Sequence, residues 1–532
     1  MDRRTFLRGS VAGTALASIP QEMLALTPSG SATADWDGGA VQHILPTVSD
    51  SEILIKLSLA KAASAAPILW VDNRRVPGTM TDTRGECWQF HAKGLAPGRR
   101  YTLSLQSGEK SSSRRLCPPW QLSTFPDPGD KPRQFRLLTF TCAGGHEAIG
   151  FLAPGVRQRL LRRGLSFQPH AVIANGDHVY WDLRSPLTAK SYGNRASAIA
   201  GHFDRASPIF GYENEFVLKR AAAPQIVPVY GNLFRSTPVF FIQDDHDYFD
   251  NDDALDDIVT FPPDQFMTSA ARATQAMYYP EFLPDRNRPR GIPGASIGGR
   301  ESPVSESFGT LRYGRLVEML LYTVRRGMTM AGPSAVFLED TVESWLHART
   351  RALDTDHLVH VPSNPPGWSA GKWGEWYGDV LGQDGRLGTD TAKPYWQRGW
   401  LRQHDRLMQS MSAMQGRIAM SMSGDLHAIA AGRMLQTGNL DLSRNPVHSI
   451  LTGPIGTRAG GWPSGVRKVG AQPSVHLRME EFIKPIEQHG FTIADFTEDK
   501  VVLQFFKWNV NQQTVNDIDT LSPFETLTLS RN

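Results

Sequence analysis

Cysteine is scarce in this 532-residue chain, which has only Cys87, Cys117 and Cys142. So few exclude a disulfide framework as the source of stability. Cys87 and Cys117 could form one bridge in the N-terminal region, leaving Cys142 over. Long apolar runs are missing, and no segment reads as a permanent membrane span. Runs of basic residues are missing too. With 56 Lys and Arg against 53 Asp and Glu the formal net charge is +3, so no specific nucleic-acid binding is expected. There is no internal repeat. A Walker phosphate loop is absent, since "GWSAGKW" has the wrong spacing and no Ser or Thr after Lys372. "HEAIG" has Gly150 where a zinc protease needs its second His, and "GASIG", Gly294 to Gly298, lacks the strand and helix that flank a serine-hydrolase elbow.

What the chain does have is a globular composition, 40% apolar and 20% charged, and a length suited to two or more domains. Its opening, "MDRRTFLRGSVAGTALASIP", joins Arg3 and Arg4 to a short, weakly apolar run. That is the layout of a twin-arginine export signal, with cleavage after Ala17 or Ala34. The partner implied is the twin-arginine export machinery, and the destination is the periplasm or the extracellular space. This route carries folded proteins, often with metal already inserted, and so hints at a cofactor.

From Val41 to Phe125 the pattern is strands and turns: "SEILIKLSLA" alternates, "APILWVDN" is a short apolar run, and "RRYTLSLQSG" alternates again. "GLAPGRRYTL" spaces Leu95, Pro97 and Tyr101 as in the tyrosine corner of fibronectin- and Ig-like folds, so a small β-sandwich is expected. The linker "FPDPGDKPRQ" follows. Beyond Phe135, the runs "FRLLTF", "HAVIANGD", "PVFFIQDD", "LVEMLLYTV" and "RIAMSMSGD" alternate with long mixed segments. They predict an α/β or α+β domain with sheet buried on both faces. Two stretches read as long surface loops near a site: residues 280–310, and the Trp-rich "SNPPGWSAGKWGEWYGD".

Chemistry collects where the apolar runs end. They finish at Cys142; at Asp177, His178 and Tyr180; at Asp244, Asp245, His246, Asp247 and Asn251; and at Asp425 and His427. Strand ends of this kind converge on one edge of a sheet. Carboxylates gathered there repel one another unless cations neutralise them, so metal ions are expected. His178 and His146 read as structural or supporting residues, and Asp250, Asp252 and Asp253 as a solvated helix start.

The fragments "TCAGG", "NGDHVYWD", "QDDHDYFDN" and "MSGDLH", in this order, resemble the motifs of the alkaline phosphatase D (PhoD-like) family of the metallophosphoesterase superfamily. "LRYGRLVEMLLYTV", "VESWL" and "SILTGPIGT" resemble its intervening segments. The resemblance implies a signal and disordered lead over 1–34, a β-sandwich over 35–128, and a four-layer α/β/β/α catalytic domain over 129–532. It also implies a centre of iron(III) with one or two divalent ions, calcium above others. Cys142 and Tyr180 would bind the ferric ion, Asp177 would bridge, and Asp245, Asn251, Asp425 and His427 would complete the ligands. Two departures stand out. "LLYTVRR" replaces the usual Leu-Asp-Thr-Arg around Tyr322, Arg325 and Arg326, and Asp247 stands where Glu is usual.

The residue types suit this chemistry. Thiolate and phenolate suit a ferric ion, and carboxylates suit hard divalent ions. Metals roughly 3.5–4 Å apart can activate water and clamp phosphoryl oxygens. His246, its pKa raised by acidic neighbours, would protonate the leaving oxygen, oriented by Asp244 or Asp247. The expected substrate is a small or polymeric phosphate mono- or diester. The competing expectation is a calcium-stabilised extracellular binding protein without catalysis.

Overall fold

Each of the five apolar runs becomes a strand: Phe135–Thr141, Ala171–Asn175, Val239–Ile242, Val317–Tyr322 and Met420–Ser423. Nearly every residue in them is buried, as expected of strands covered on both faces. The computed structural model describes residues 36–108, 114–181, 200–249, 261–285, 287–288 and 307–531. The expected signal and lead, Asn251, the acidic stretch Asp250 to Asp253, "GASIG" and most of the 280–310 loop lie outside the described residues.

The strands form two sheets. One is six-stranded, in the order Val239–Ile242, Ala171–Asn175, Phe135–Thr141, His489–Thr497, Lys500–Trp508, Glu525–Ser530. Its first three strands run parallel and the remainder antiparallel. The other is eight-stranded. It has Val317–Tyr322, His357–Pro362, Met420–Ser423 and Val447–Thr452 running parallel side by side, flanked by Phe308–Tyr313 and by Ile429–Thr437 with its neighbours.

Alternation along the strands fixes the layering. Leu137, Ile173 and Ile242 belong to a core shared with Met319, Leu321, Val359 and Met422 of the other sheet. Their neighbours Leu138, Val172 and Phe241 pack with Leu160, Leu161 and Ile226 of the helices Pro154–Leu165 and Tyr212–Tyr230. On the far side Leu320 and Leu358 meet Leu346 of the Asp340–Arg351 helix and Leu407 of the Arg398–Ser412 helix. The result is helix, sheet, sheet, helix: the four-layer α/β/β/α arrangement.

The N-terminal region forms two four-stranded sheets, one of Val41–Val48, Glu52–Leu59, Cys87–Lys93 and Thr79–Met80, the other of Arg74–Pro77, Ile68–Val71, Arg100–Gln106 and Trp120–Ser123. The Tyr101 hydroxyl accepts from Ala96 N at 2.7 Å, closing the corner anticipated from the sequence. Cys87 and Cys117 are both buried thiols and are not bridged, which corrects the pairing considered above. Each packs as a small apolar side chain, Cys87 with the helix-side core and Cys117 with the core shared by the sheets.

The sandwich is fastened to the larger domain by buried polar contacts. Lys56 Nζ donates to Ala276 O at 2.7 Å and pairs with Glu281 at 3.0 Å, and His43 Nε2 lies 2.8 Å from Tyr278 O. These partners lie in or just beyond the Gln265–Tyr278 helix, which therefore ties the N-terminal sheets to the rest of the chain.

Burial lowers the pKa of His43, His170 and His448 to about 4 each. In the unfolded chain each returns to about 6.5. Between these values the unfolded chain binds more protons, so stability is complete above pH 6.5 and falls as the pH drops toward 4. The slope is about 1.4 kcal/mol per pH unit for each histidine. Urea midpoints should therefore fall clearly between pH 7 and pH 5, and His43→Gln should flatten that dependence. An unchanged midpoint across the range would contradict it.

Candidate metal centre

The parallel strands of both sheets end on one side, and the candidate residues follow directly. Cys142 comes after Phe135–Thr141, Asp177 after Ala171–Asn175, Asp244 and Asp245 after Val239–Ile242, and Asp425 and His427 after Met420–Ser423. Among the described residues nine other than glycine have positive φ, and four are candidate ligands: Cys142 (50°), Asp177 (57°), Asp425 (66°) and His427 (47°). Left-handed backbone is costly for such residues, and its concentration here marks a constrained site. Close approach of the chains also requires glycine at 424, because a Cβ there would meet Thr141 Oγ1 at 2.2 Å and Asn175 O at 2.6 Å.

The first cluster joins four donor types. Asp177 Oδ2 accepts from the Tyr180 hydroxyl at 2.8 Å and from Cys142 Sγ at 3.3 Å, while the Tyr180 oxygen lies 3.1 Å from His427 Nε2. His427 Nδ1 is 2.7 Å from Gly461 O, so that nitrogen carries the proton and Nε2 turns its lone pair to the cluster. Asp177 Oδ1 is buried with no hydrogen-bond partner. Burial, reinforced by Asp177, pushes the Cys142 thiol and the Tyr180 phenol well above their usual pKa ranges. A multivalent cation reverses that balance, since it stabilises thiolate and phenolate together and takes up the orphaned carboxylate oxygen. This donor set fits a metal ion.

Two further groups adjoin it. Ligand atoms of Asp177, Asp245 and His246 lie within 4.8 Å of one another, and so do those of Asp244, Asp245 and Asp425. His246 is half-buried, and its ring lies against that of Tyr180, tilted by 33° at 4.1 Å between centroids.

The structure reassigns the flanking aspartates. Asp247 does not orient His246. Its Oδ2 accepts from the backbone N–H groups of Asp177 at 3.0 Å and Asp244 at 2.9 Å, and its Oδ1 from those of His178 at 2.9 Å and Val179 at 3.1 Å. Asp244 Oδ1 instead accepts from Arg325 Nε at 2.8 Å. Both carboxylates are engaged elsewhere, and the imidazole lies tilted against the Tyr180 ring. His178 and His146 serve the frame: His178 Nε2 meets Ile242 O at 2.8 Å, and His146 Nδ1 accepts from Ala148 N at 3.1 Å.

Three residues of the site had no assigned role in the sequence reading. Arg325 is fully buried and also donates through Nη2 to Asp425 at 3.0 Å, with Asp245 at 4.0 Å. Burial disfavours its charge, and Asp244, Asp245 and Asp425 more than offset this. Lys372 Nζ touches Asp245 and reaches Asp425 Oδ1 at 2.7 Å. Asn364 Nδ2 donates to Asp425 Oδ2 at 2.5 Å. The only sequence signals were the departure at "LLYTVRR" and the Trp-rich segment. That segment is not a surface loop: Trp368, Trp376 and Tyr377 are fully buried, and Trp376 packs against Phe337 at 4.4 Å. Its mixed composition hid this, since it follows neither a helical nor a strand period.

Comparison with protein-family models and with curated proteins gives no match. Among solved structures the chain is similar to PhoD, with a TM-score of 0.59 at 13% identity over 94% of this chain and 91% of that one. It is also similar to purple acid phosphatase PPD1 from yellow lupin (Lupinus luteus) seeds, with a TM-score of 0.55 at 13% identity over 93% and 75%. At such identity the likeness establishes the fold, and this is the fold expected from the metallophosphoesterase resemblance.

Asp247→Ala leaves four backbone donors unsatisfied in a dry interior. It should cost about 3 kcal/mol or more in denaturant unfolding, at roughly 1–3 kcal/mol per orphaned group. A variant of unchanged stability with only a shifted pH–rate profile would instead restore Asp247 as the partner of His246.

Proposed function

We propose that the protein is an exported, metal-dependent phosphoesterase that hydrolyses phosphate mono- or diesters. The observation that carries this reading is the convergence of buried Cys142, Asp177 and Tyr180 on half-buried His427, with one Asp177 oxygen left unpartnered. The likeness in fold to a purple acid phosphatase agrees with it.

Iron(III) is the metal proposed for the thiolate and phenolate, with Asp177 and His427 completing the set. A metal ion here would supply Lewis acidity and activate water. The family resemblance implies calcium or another divalent ion as companion, with Asp245 and Asp425 the carboxylates of the type that suits it, and Lys372 Nζ already lies between these two. Asn251, proposed as a further ligand, lies outside the described residues. His246, beside Tyr180 at the rim of the cluster, is the proposed general acid, donating its proton to the departing alkoxide oxygen. Arg325 stays charged and buried, and fixes Asp244 and Asp425 so that the carboxylates keep their places. Among the described residues no helix is long and apolar enough to cross a membrane. Export rests on the N-terminal arginine pair, and a periplasmic or extracellular location follows from it.

Purified protein should hydrolyse a nitrophenyl phosphate ester, and Asp177→Asn should lower kcat by about 1000-fold or more, as removal of a principal electrostatic contributor does. A phenolate-bound ferric ion should give a visible charge-transfer band that Tyr180→Phe abolishes. Activity surviving Asp177→Asn, or colour surviving Tyr180→Phe, would overturn the assignment.

A further inference from the structure

The Trp-rich segment contributes a cation to the acidic half of the site. Lys372 Nζ is bound between Asp245 Oδ2 and Asp425 Oδ1. Its charge also acts on Asp177. Held by Asp245 and Asp425, the ammonium stands at the point where a divalent ion adjoining the Cys142 cluster would be held.

The residue is delivered by a fixed backbone. Trp373 stacks on Phe261 at 5.4 Å and 13°, and meets Trp400 edge-on at 6.0 Å. Gly374, at φ +73°, presents its carbonyl to Arg325 Nη1 at 2.7 Å, and a Cβ there would lie 2.5 Å from that nitrogen. On the following turn Glu375 accepts from Ser369 Oγ at 2.9 Å and Ala370 N at 2.7 Å, and pairs with Lys393 at 2.9 Å. The lysine side chain is only 12% exposed. The segment is thus held on both sides of residue 372, and the lysine occupies the carboxylates from an anchored base.

We infer that Lys372, backed by Arg325, takes the place of one divalent cation, so that the centre holds a metal ion only on its Cys142 side. Size supports exclusion. Calcium binds carboxylate oxygens at about 2.3–2.6 Å, and an ammonium hydrogen-bonded to the same oxygens leaves no volume for it. Charge supports it as well. Arg325 and Lys372 together face Asp244, Asp245 and Asp425, so this cluster needs little further neutralisation, whereas among the described residues no Lys or Arg forms an ion pair with the Cys142 cluster. The substitution changes the chemistry. An ammonium neutralises phosphoryl oxygens and donates hydrogen bonds to them, but it is no Lewis acid.

This inference rests on the metal centre proposed above, and metal counting separates the two. Full-length protein is loaded with iron and with calcium or manganese, freed of loose ions, and analysed by elemental mass spectrometry. Wild type should retain about one ion per chain, and Lys372→Met about one more. Calcium titration calorimetry should show a site in Lys372→Met that wild type lacks. A wild-type chain holding two or more ions, or a folded Lys372→Met chain that gains none, would overturn the inference while leaving the phosphoesterase reading intact. If Lys372→Met fails to fold, the wild-type count alone decides. A wild-type chain that holds no ion would overturn both.

Discussion

Carboxylates brought together in a dry cleft repel one another, and a fold that gathers them must bring compensating positive charge or leave them protonated. Asp177, Asp244, Asp245 and Asp425 are all buried at the ends of parallel strands, and the surrounding structure answers to that constraint. On one side the donors are neutral or unpartnered groups that need an added cation. On the other, Arg325 and Lys372 are that cation. One site is therefore built in two halves of opposite electrostatic design, meeting at Asp177 and Asp245.

Holding such groups in place costs backbone strain and internal hydrogen bonds. The left-handed conformations at Cys142, Asp177, Asp425 and His427 persist because the loops beneath them are tied down. Arg157 donates to the carbonyls of Ala143 and Gly144, both at 2.8 Å, and Gln225 accepts from Gly145 N and Tyr180 N while donating to Tyr180 O. Asp247 binds four amides of the two neighbouring loops. None of these residues belongs to a candidate ligand cluster, yet each fixes the turn from which a candidate ligand projects. The helices that carry Arg157 and Gln225 are the outer layer of the fold, so the layering and the site are one arrangement.

Much of this was legible in the chain. The strands that carry the candidate ligands are buried on both faces and so are written as continuous apolar runs, which made their ends easy to find and placed Cys142, Asp177, Asp245, Asp425 and His427 together. The tyrosine corner at Tyr101 was legible for the same reason, as a local spacing with a local hydrogen bond. The partners that cross the fold were not. Asp247 looks like one more acidic residue near a histidine until the loop at Asp177 is seen beside it. Cys87 and Cys117 look pairable until each is seen in a different core.

The sequence by itself determined the strand ends and the order of the candidate ligand types, because continuous apolar runs and short-range motifs are local properties of a chain, while the four-layer plan was implied by the family resemblance. The tertiary structure alone decided which charges neutralise which. Arg325 and Lys372 lie 80 and more residues from Asp244 and Asp245. No local pattern encodes their meeting, since it depends on the stacking of two sheets and on a Trp-rich segment buried against Phe337 and Trp400.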